Sequence, residues 1–250
     1  MSRLPRFAAR TRILLPAGLI SGLSGLVLHS LVLRLEILTP TGLTLSLGNA
    51  ASFIGLQLAL TALVTAHNGA LRGLASGLLC LAGLAAVATG HPSVSPTGFV
   101  MTWQLQLHIL ISLFAYGLLT IGAIVAVFAL VQDQRLRTGQ ISSWSELFAP
   151  LETNETLLYG IAAAGFFALL LAVFSGFLFV DNLFAQHLIH KTSLSLLALV
   201  LFGVLLVGRW IAGWRGRNAV YLYLWGFAIL GLAYFGSRFI LEQILGRSWG

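Results

Sequence analysis

The chain has 250 residues, of which 58% are hydrophobic and 8% charged, with a formal net charge of +7. A soluble domain is roughly 25% charged, so a chain this apolar cannot cover itself with polar surface and its solvent must largely be lipid. The positive charge would suit a nucleic-acid partner, but the arginines flank apolar runs, and a topological role explains that placement. No nucleic-acid partner is expected.

A helix needs about 20 apolar residues to cross a hydrocarbon core of about 30 Å. The first run of that length is Ile13–Leu33, preceded by Arg3, Arg6, Arg10 and Arg12. It exceeds the roughly 7–15 residues of a signal-peptide core and no A-x-A cleavage site follows, so it reads as a retained span. His29 lies near its distal end, five residues before Arg34. Leu43–Ala66 follows, with Asn49 and Gln57 as its polar members and His67 just beyond. Leu71–Thr89 is the third run. Gly69, Gly73 and Gly77, like Gly18 and Gly22, repeat at the four-residue spacing that lets helices approach closely. The single cysteine, Cys80, reads as a small apolar filler with no disulfide or metal partner.

His91 falls in the connection Gly90–Trp103, and His108 in the first turns of the run Gln104–Val131. The polar stretch Gln132–Thr156 carries Trp144, Leu147, Phe148 and Leu151 as on one side of a short helix. It suits an interfacial segment or a plain loop. Leu157–Val180 is the fifth run. His187 and His190 lie in the connection Asp181–Lys191, Thr192–Val207 is the sixth run, and Ala219–Leu241 is the seventh and holds Arg238. No strand alternation suggests a barrel. The expectation is an all-α polytopic transmembrane bundle of seven spans, forming a single integral membrane domain over residues 1–250.

Arginine and lysine near span ends collect on the cytoplasmic side. With the N-terminus inside, Arg3, Arg6, Arg10, Arg12, Arg72, Arg135, Arg137, Arg209, Arg215 and Arg217 fall inside, leaving Arg34, Lys191, Arg238 and Arg247 outside, 10 against 4. The expected chain therefore starts inside and ends outside. That topology puts five of the six histidines at the outer side, with His67 alone inside.

An ionisable residue within a span is a functional hypothesis by default. Imidazole there can hydrogen-bond between helices, relay protons or ligate haem iron. His29 and His108 lie about five and four residues inside the outer boundary. At about 1.5 Å per residue, that is some 6–8 Å deep for both. Aromatic neighbours are Phe114, Tyr116, Phe177 and Phe179. Arg238, Lys191 and Arg34 could serve haem propionates, and Arg238 could equally pair with Glu242 one turn on. No Walker A loop, H-E-x-x-H helix or Gly-x-Ser-x-Gly elbow is present, and no catalytic residue is expected.

The stretch WQLQLHILISLFAYGLLTIGAIVAVFALVQDQRL, residues 103–136, resembles the His-bearing helix of the cytochrome c assembly family, whose members include CcsA, CcmC and HemX-like proteins. PLETNETLLYGI (150–161), FSGFLFVDNLFAQHLIHKTSLSLLALVLFGVLLVGRW (174–210) and GWRGRNAVYLYLWGFAILGLAYFGSRFILEQIL (213–245) continue the likeness. It is strongest over residues 103–245, closest to the family's YpjD-like branch of bacterial inner-membrane proteins, and extends more loosely to GLSGLVLHSLVL around His29. The resemblance implies a haem-b-handling protein of the bacterial plasma (inner) membrane, with histidines at the outer face as iron ligands. By position, His108 matches the ligand-type histidine ahead of a Ser-x-x-x-Tyr helix, and His29 the histidine of the early span. His190 falls near the place of the family's Trp-rich WWD segment. Here the chain reads DNLFAQHLIHKT, without tryptophan, and no histidine follows the last span. Both departures favour a haem handler or sensor over a haem ligase. Relatives tend to begin with one more span.

The expected site is thus His29 and His108 as ligands of one haem b, with His190 in reserve and Arg238 nearby. Expected partners are the lipid bilayer and cytochrome biogenesis or tetrapyrrole-synthesis proteins. Two other readings stay open: a transporter or permease-like component with polar midplane groups, for which Asn49 and Gln57 are the candidates, and a cofactor-free membrane partner in tetrapyrrole metabolism acting through its inner loops, Gln132–Thr156 and Gly213–Asn218.

Overall fold

The structure is a computed structural model, and it describes residues 11–39, 42–43, 46–87, 102–139, 151–179 and 189–236. Among the described residues seven α-helices follow one another: α1 (Thr11–Ile37), α2 (Leu47–Ala66), α3 (Arg72–Ala86), α4 (Trp103–Arg137), α5 (Leu151–Phe179), α6 (Ile189–Ala212) and α7 (Arg217–Gly231). A two-residue hairpin, β1 (Leu38–Thr39) with β2 (Gly42–Leu43), links α1 to α2. A 3-10 turn at Gly69–Leu71 leads into α3, and a π-helical turn at Leu232–Gly236 prolongs α7. Among the described residues six helices, α1 to α6 with the 3-10 turn counted into α3, are long and apolar enough to cross a membrane. The chain is therefore a multi-pass helical membrane protein, since helices satisfy every backbone group internally where no water can.

Capping marks several starts. Ser46 accepts from the Asn49 amide at 2.9 Å to open α2, and Thr102 accepts from the Leu105 amide to open α4. The helices run past the apolar stretches. α4 continues through Gln132 to Arg137 and α5 begins at Leu151, so the expected polar interruption between them shortens at both ends. A helix leaving the hydrocarbon keeps its own hydrogen bonds, and its side chains simply change from apolar to polar. Leu151 belongs to α5; Trp144, Leu147 and Phe148 lie outside the described residues.

Between α4 and α5, four contacts keep one antiparallel register: His108 with Ser175, Leu119 with Gly165, Gly122 with Ile161, and Gln132 with Asn154. Their facing surfaces are rich in small buried residues, among them Ala115, Ala126, Ala162 and Ala168. Lipid tails are as apolar as leucine, so such small residues, which let backbones approach, select the partner helix. α7 closes against α4 in the same way: a Cβ on Gly122 would meet the Tyr223 ring and hydroxyl, so only glycine leaves room for that tyrosine. Tyr223 and Phe202 are fully buried and meet edge to face at 5.1 Å.

α1 sits at the margin, packed against α2, where Gly22 faces Leu63. Gly77 of α3 faces Phe128 of α4, whereas Gly18 faces no neighbour among the described residues, so the glycine repeats serve packing only in part there. Cys80 is exposed on α3. The expected filler role is thus revised: its thiol lies on the outside of the bundle and fills no core gap.

Candidate histidine site and the arginine-bearing end

His29 projects from α1 to α2, where its Nε2 lies 2.6 Å from Ser52 Oγ. His108 projects from α4 to α5, where its Nδ1 lies 2.9 Å from Ser175 Oγ. Each imidazole therefore bridges a different helix pair, and each has a serine partner on the neighbouring helix. Both serines are buried, Ser52 completely. An imidazole left unpaired in an apolar interior would lose the hydrogen bonds it makes in water, which explains a polar partner at each place.

Gln57 relates the two pairs. Its Nε2 donates to the Leu113 carbonyl at 3.1 Å and its carboxamide lies against Gly117, while further along Gly55 of α2 meets Ala85 of α3 and Gly77 of α3 meets Phe128 of α4, so α2 and α4 run side by side in a common direction. Five residues before Gln57 is Ser52, the partner of His29; five before Leu113 is His108. At about 1.5 Å per residue, both histidines lie within about a turn of the same depth. The Gln57 Oε1 is buried and has no hydrogen-bond partner among the described residues. Gln57 thus joins two helices, as polar side chains often do in membranes, and Asn49 is buried near the start of α2.

The remaining expected site residues are distributed unevenly. His190 is exposed at the start of α6. Lys191 places its Nζ 5.7 Å from the centre of the Tyr234 ring, which in turn lies 5.6 Å from Tyr116. Arg34 is exposed in the last turn of α1. Arg238, His91 and His187 lie outside the described residues. Of the aromatic neighbours, Tyr116 is buried, Phe179 lies 6.4 Å from Trp103, and Phe114 and Phe177 are about half exposed at 51% and 49%. The last two therefore face away from the interior. Among the described residues no group of three histidine, cysteine or carboxylate side chains could hold a bare metal ion. A haem iron makes no such demand, because its porphyrin supplies four nitrogens.

At the opposite end the turn between α6 and α7 is tied to its neighbours. The Tyr159 hydroxyl donates to the Trp214 carbonyl at 2.6 Å, and Arg209 donates to the same oxygen at 3.2 Å while its guanidinium lies over the Tyr159 ring. Glu155 accepts from the Gly216 amide at 2.9 Å, and Asp133 faces Arg137 at 3.0 Å and Arg217 at 3.6 Å. Gly216 has φ of 72°, a conformation open to glycine at little cost, which turns the chain into α7. The motif GWRGRN is therefore a structured joint. Sequence reading missed Ser52 and Ser175; it gave Gly213–Asn218 as an inner loop, without the contacts that tie it down. The signal available for the serines was their position as polar residues inside apolar runs.

The described residues thus form a helical membrane bundle in which two histidines, each bonded to a buried serine, stand near one level. The chain belongs to the cytochrome c assembly protein family, whose description matches residues 17–245. It is 33% identical to inner membrane protein YpjD of Escherichia coli strain K12 over 232 residues, covering 91% of this chain and 87% of that protein. A 28.8 kDa protein of Azospirillum brasilense is 28% identical over 68% of this chain and 63% of its own length. The cytochrome c biogenesis protein CcsA of Guillardia theta is 23% identical over 58% of this chain and 54% of its own. No solved structure matches the chain significantly.

Proposed function

We propose that this protein binds haem b in the bacterial inner membrane and handles or senses it at the outer face, with His29 and His108 as the ligand pair and His190 as reserve. The observation that carries the reading is the shared depth of the two histidines, each held at a helix interface by a buried serine. The donor set suits haem. Neutral imidazoles are its commonest protein ligands, and the apolar helices around them suit its ring. Bound there, haem would supply an iron able to change oxidation state and exchange ligands. The protein's own groups hold the imidazoles in place and exclude water. Arg238, Lys191 and Arg34, expected near the same face from the sequence, would supply the cations that propionates require.

In this reading the N-terminus is inside, the arginine-bearing end faces the cytoplasm, and α7 with its π-helical turn, residues 217–236, is the seventh span. Those 20 residues are about the length a crossing needs. The departures around DNLFAQHLIHKT support handling or sensing over attachment of haem to an apocytochrome. The test is the reduced-minus-oxidised absorbance spectrum of detergent-purified protein after haem reconstitution, with membrane insertion checked separately. His29→Ala and His108→Ala should each alter it, and His190→Ala should leave it closer to wild type. If both of the first two variants keep the full wild-type spectrum, the ligand assignment is wrong.

A further inference from the structure

At the arginine-bearing end the carboxylates are shared unequally among the basic residues. Asp133 faces Arg137 at 3.0 Å and Arg217 at 3.6 Å. Glu155 accepts from the Gly216 amide. Arg209 and Arg215 make no ion pair among the described residues. They nevertheless stand at one place, because Arg209, Glu155 and Arg215 all act electrostatically on the Tyr159 phenol. The Arg209 guanidinium lies 4.6 Å from the centre of that ring, and one of its N–H groups goes to the Trp214 carbonyl. A guanidinium carries five N–H groups in a planar fork that matches phosphate oxygens. Most of those at Arg209, and all of those at Arg215, are left without a partner among the described residues.

The fold holds the two arginines together. The Trp214 amide donates to the Gly208 carbonyl at 3.1 Å, and the Trp214 ring covers Gly208, where a Cβ would find no room. Gly213, with φ of 63°, turns the chain back to make this possible. With the Tyr159 hydroxyl on the Trp214 carbonyl, the backbone is pinned one residue before Arg215.

The apolar surroundings decide the kind of ligand. Trp210 and Ile211, directly after Arg209, are 88% and 77% exposed, and Val200, Val204, Val207 and Ile211 form one exposed face of α6. In a bilayer such a face meets acyl chains, and tryptophan at its end sits at headgroup level. Arginines at that level meet lipid phosphate. Charge narrows the choice further. Two guanidiniums against the Glu155 carboxylate leave one net positive charge, which matches the single negative charge of a phosphodiester. A zwitterionic headgroup brings a cation of its own, which these arginines repel.

We propose that the joint between α5, α6 and α7 is a binding site for one anionic phospholipid, its phosphodiester held by Arg209 and Arg215 beside Tyr159 and its acyl chains laid along the exposed face of α6. Arg217, engaged by Asp133, stands outside the site. The inference does not depend on haem.

Native mass spectrometry of the full-length protein in detergent, titrated with phosphatidylglycerol or phosphatidylcholine, tests it. The wild-type protein should retain one phosphatidylglycerol in preference to phosphatidylcholine. Arg209→Gln and Arg215→Gln should each weaken that binding about fivefold, the usual worth of one basic residue beside an anionic surface. Arg72→Gln makes the same charge change at the start of α3, where Nε donates to the Ala66 carbonyl at 3.3 Å, and should leave the binding unchanged. Arg215 is exposed and makes no contact that holds the fold, so its variant decides the matter if Arg209→Gln fails to fold. The thermal midpoint of the wild-type protein should rise with phosphatidylglycerol and stay put with inorganic phosphate. Equal retention of the two lipids overturns the inference, as does unchanged binding by Arg215→Gln or an equal loss in Arg72→Gln. A midpoint raised as much by inorganic phosphate makes the ligand a free anion and overturns the lipid assignment.

Discussion

Tyr116 and Tyr223 clasp the same two helices in opposite senses. Tyr116 of α4 donates to the Leu230 carbonyl of α7 at 3.0 Å, and Tyr223 of α7 donates to the Leu119 carbonyl of α4 at 2.9 Å. Both tyrosines are buried, Tyr223 completely. Hydrogen bonds between membrane helices average about 0.6 kcal/mol and reach about 1.7 kcal/mol. Tyr116→Phe and Tyr223→Phe should each lower unfolding stability in mixed micelles by an amount in that range without changing helix content. Two variants as stable as wild type would show that the phenol hydroxyls contribute nothing to holding α7.

The space at Gly122 gives a second expectation. A methyl group there meets the Tyr223 hydroxyl and ring carbon, with Ile161 also close. Gly122→Ala should therefore destabilise by about 1–3 kcal/mol, the usual range for overpacking. The cost should be smaller in a Tyr223→Phe background, because the nearest atom has been removed. A double-mutant cycle measures that coupling, and strict additivity would place the clash elsewhere.

The arginines of the α6–α7 joint should differ from one another. Arg217 faces Asp133 at 3.6 Å and donates to the Tyr221 hydroxyl at 3.2 Å. Arg217→Glu sets two carboxylates against each other and should cost about 1 kcal/mol, the upper range for an exposed pair, with a smaller loss at high salt. Arg215→Glu should change stability by less than about 0.5 kcal/mol, as is usual for an exposed position. Its effect should fall on attachment to anionic membrane surface, where a basic residue is worth about 1 kcal/mol. Thermal unfolding in detergent and binding to vesicles with and without anionic lipid separate the two. Equal losses of stability would contradict this division of roles.

Topology yields the last expectation. If the chain starts inside and crosses seven times, 10 basic residues fall on one side and 4 on the other, and reporter fusions placed after Arg215 and at Gly250 should report opposite compartments. Finding both on one side would remove α7 and its π-helical turn as a crossing.

Much of the architecture was legible without coordinates because the bilayer imposes a length and a composition on every crossing. Each expected apolar run became a helix within the described residues. Boundaries moved where the reading equated the end of an apolar run with the end of a helix, as at Gln132–Arg137 and Leu151–Thr156. The family also followed from sequence, through the His108 helix and the order of GWRGR and LAYFGS behind it.

Contacts across the bundle were a different matter. That His29 and His108 stand near one level follows from counting residues along helices, since rise per residue is constant. Which nitrogen of each ring is engaged, and by which serine, depends on how α1 turns toward α2 and α4 toward α5. In lipid no general hydrophobic force chooses those faces. Close packing of small residues chooses them, and it brings Ser52 to His29 across 23 positions and Ser175 to His108 across 67. The sequence by itself determined a multi-pass membrane protein with histidines at matched depth. Helix rotation, settled by contacts such as Gly117 with Gln57 and Gly122 with Tyr223, decided what those histidines touch.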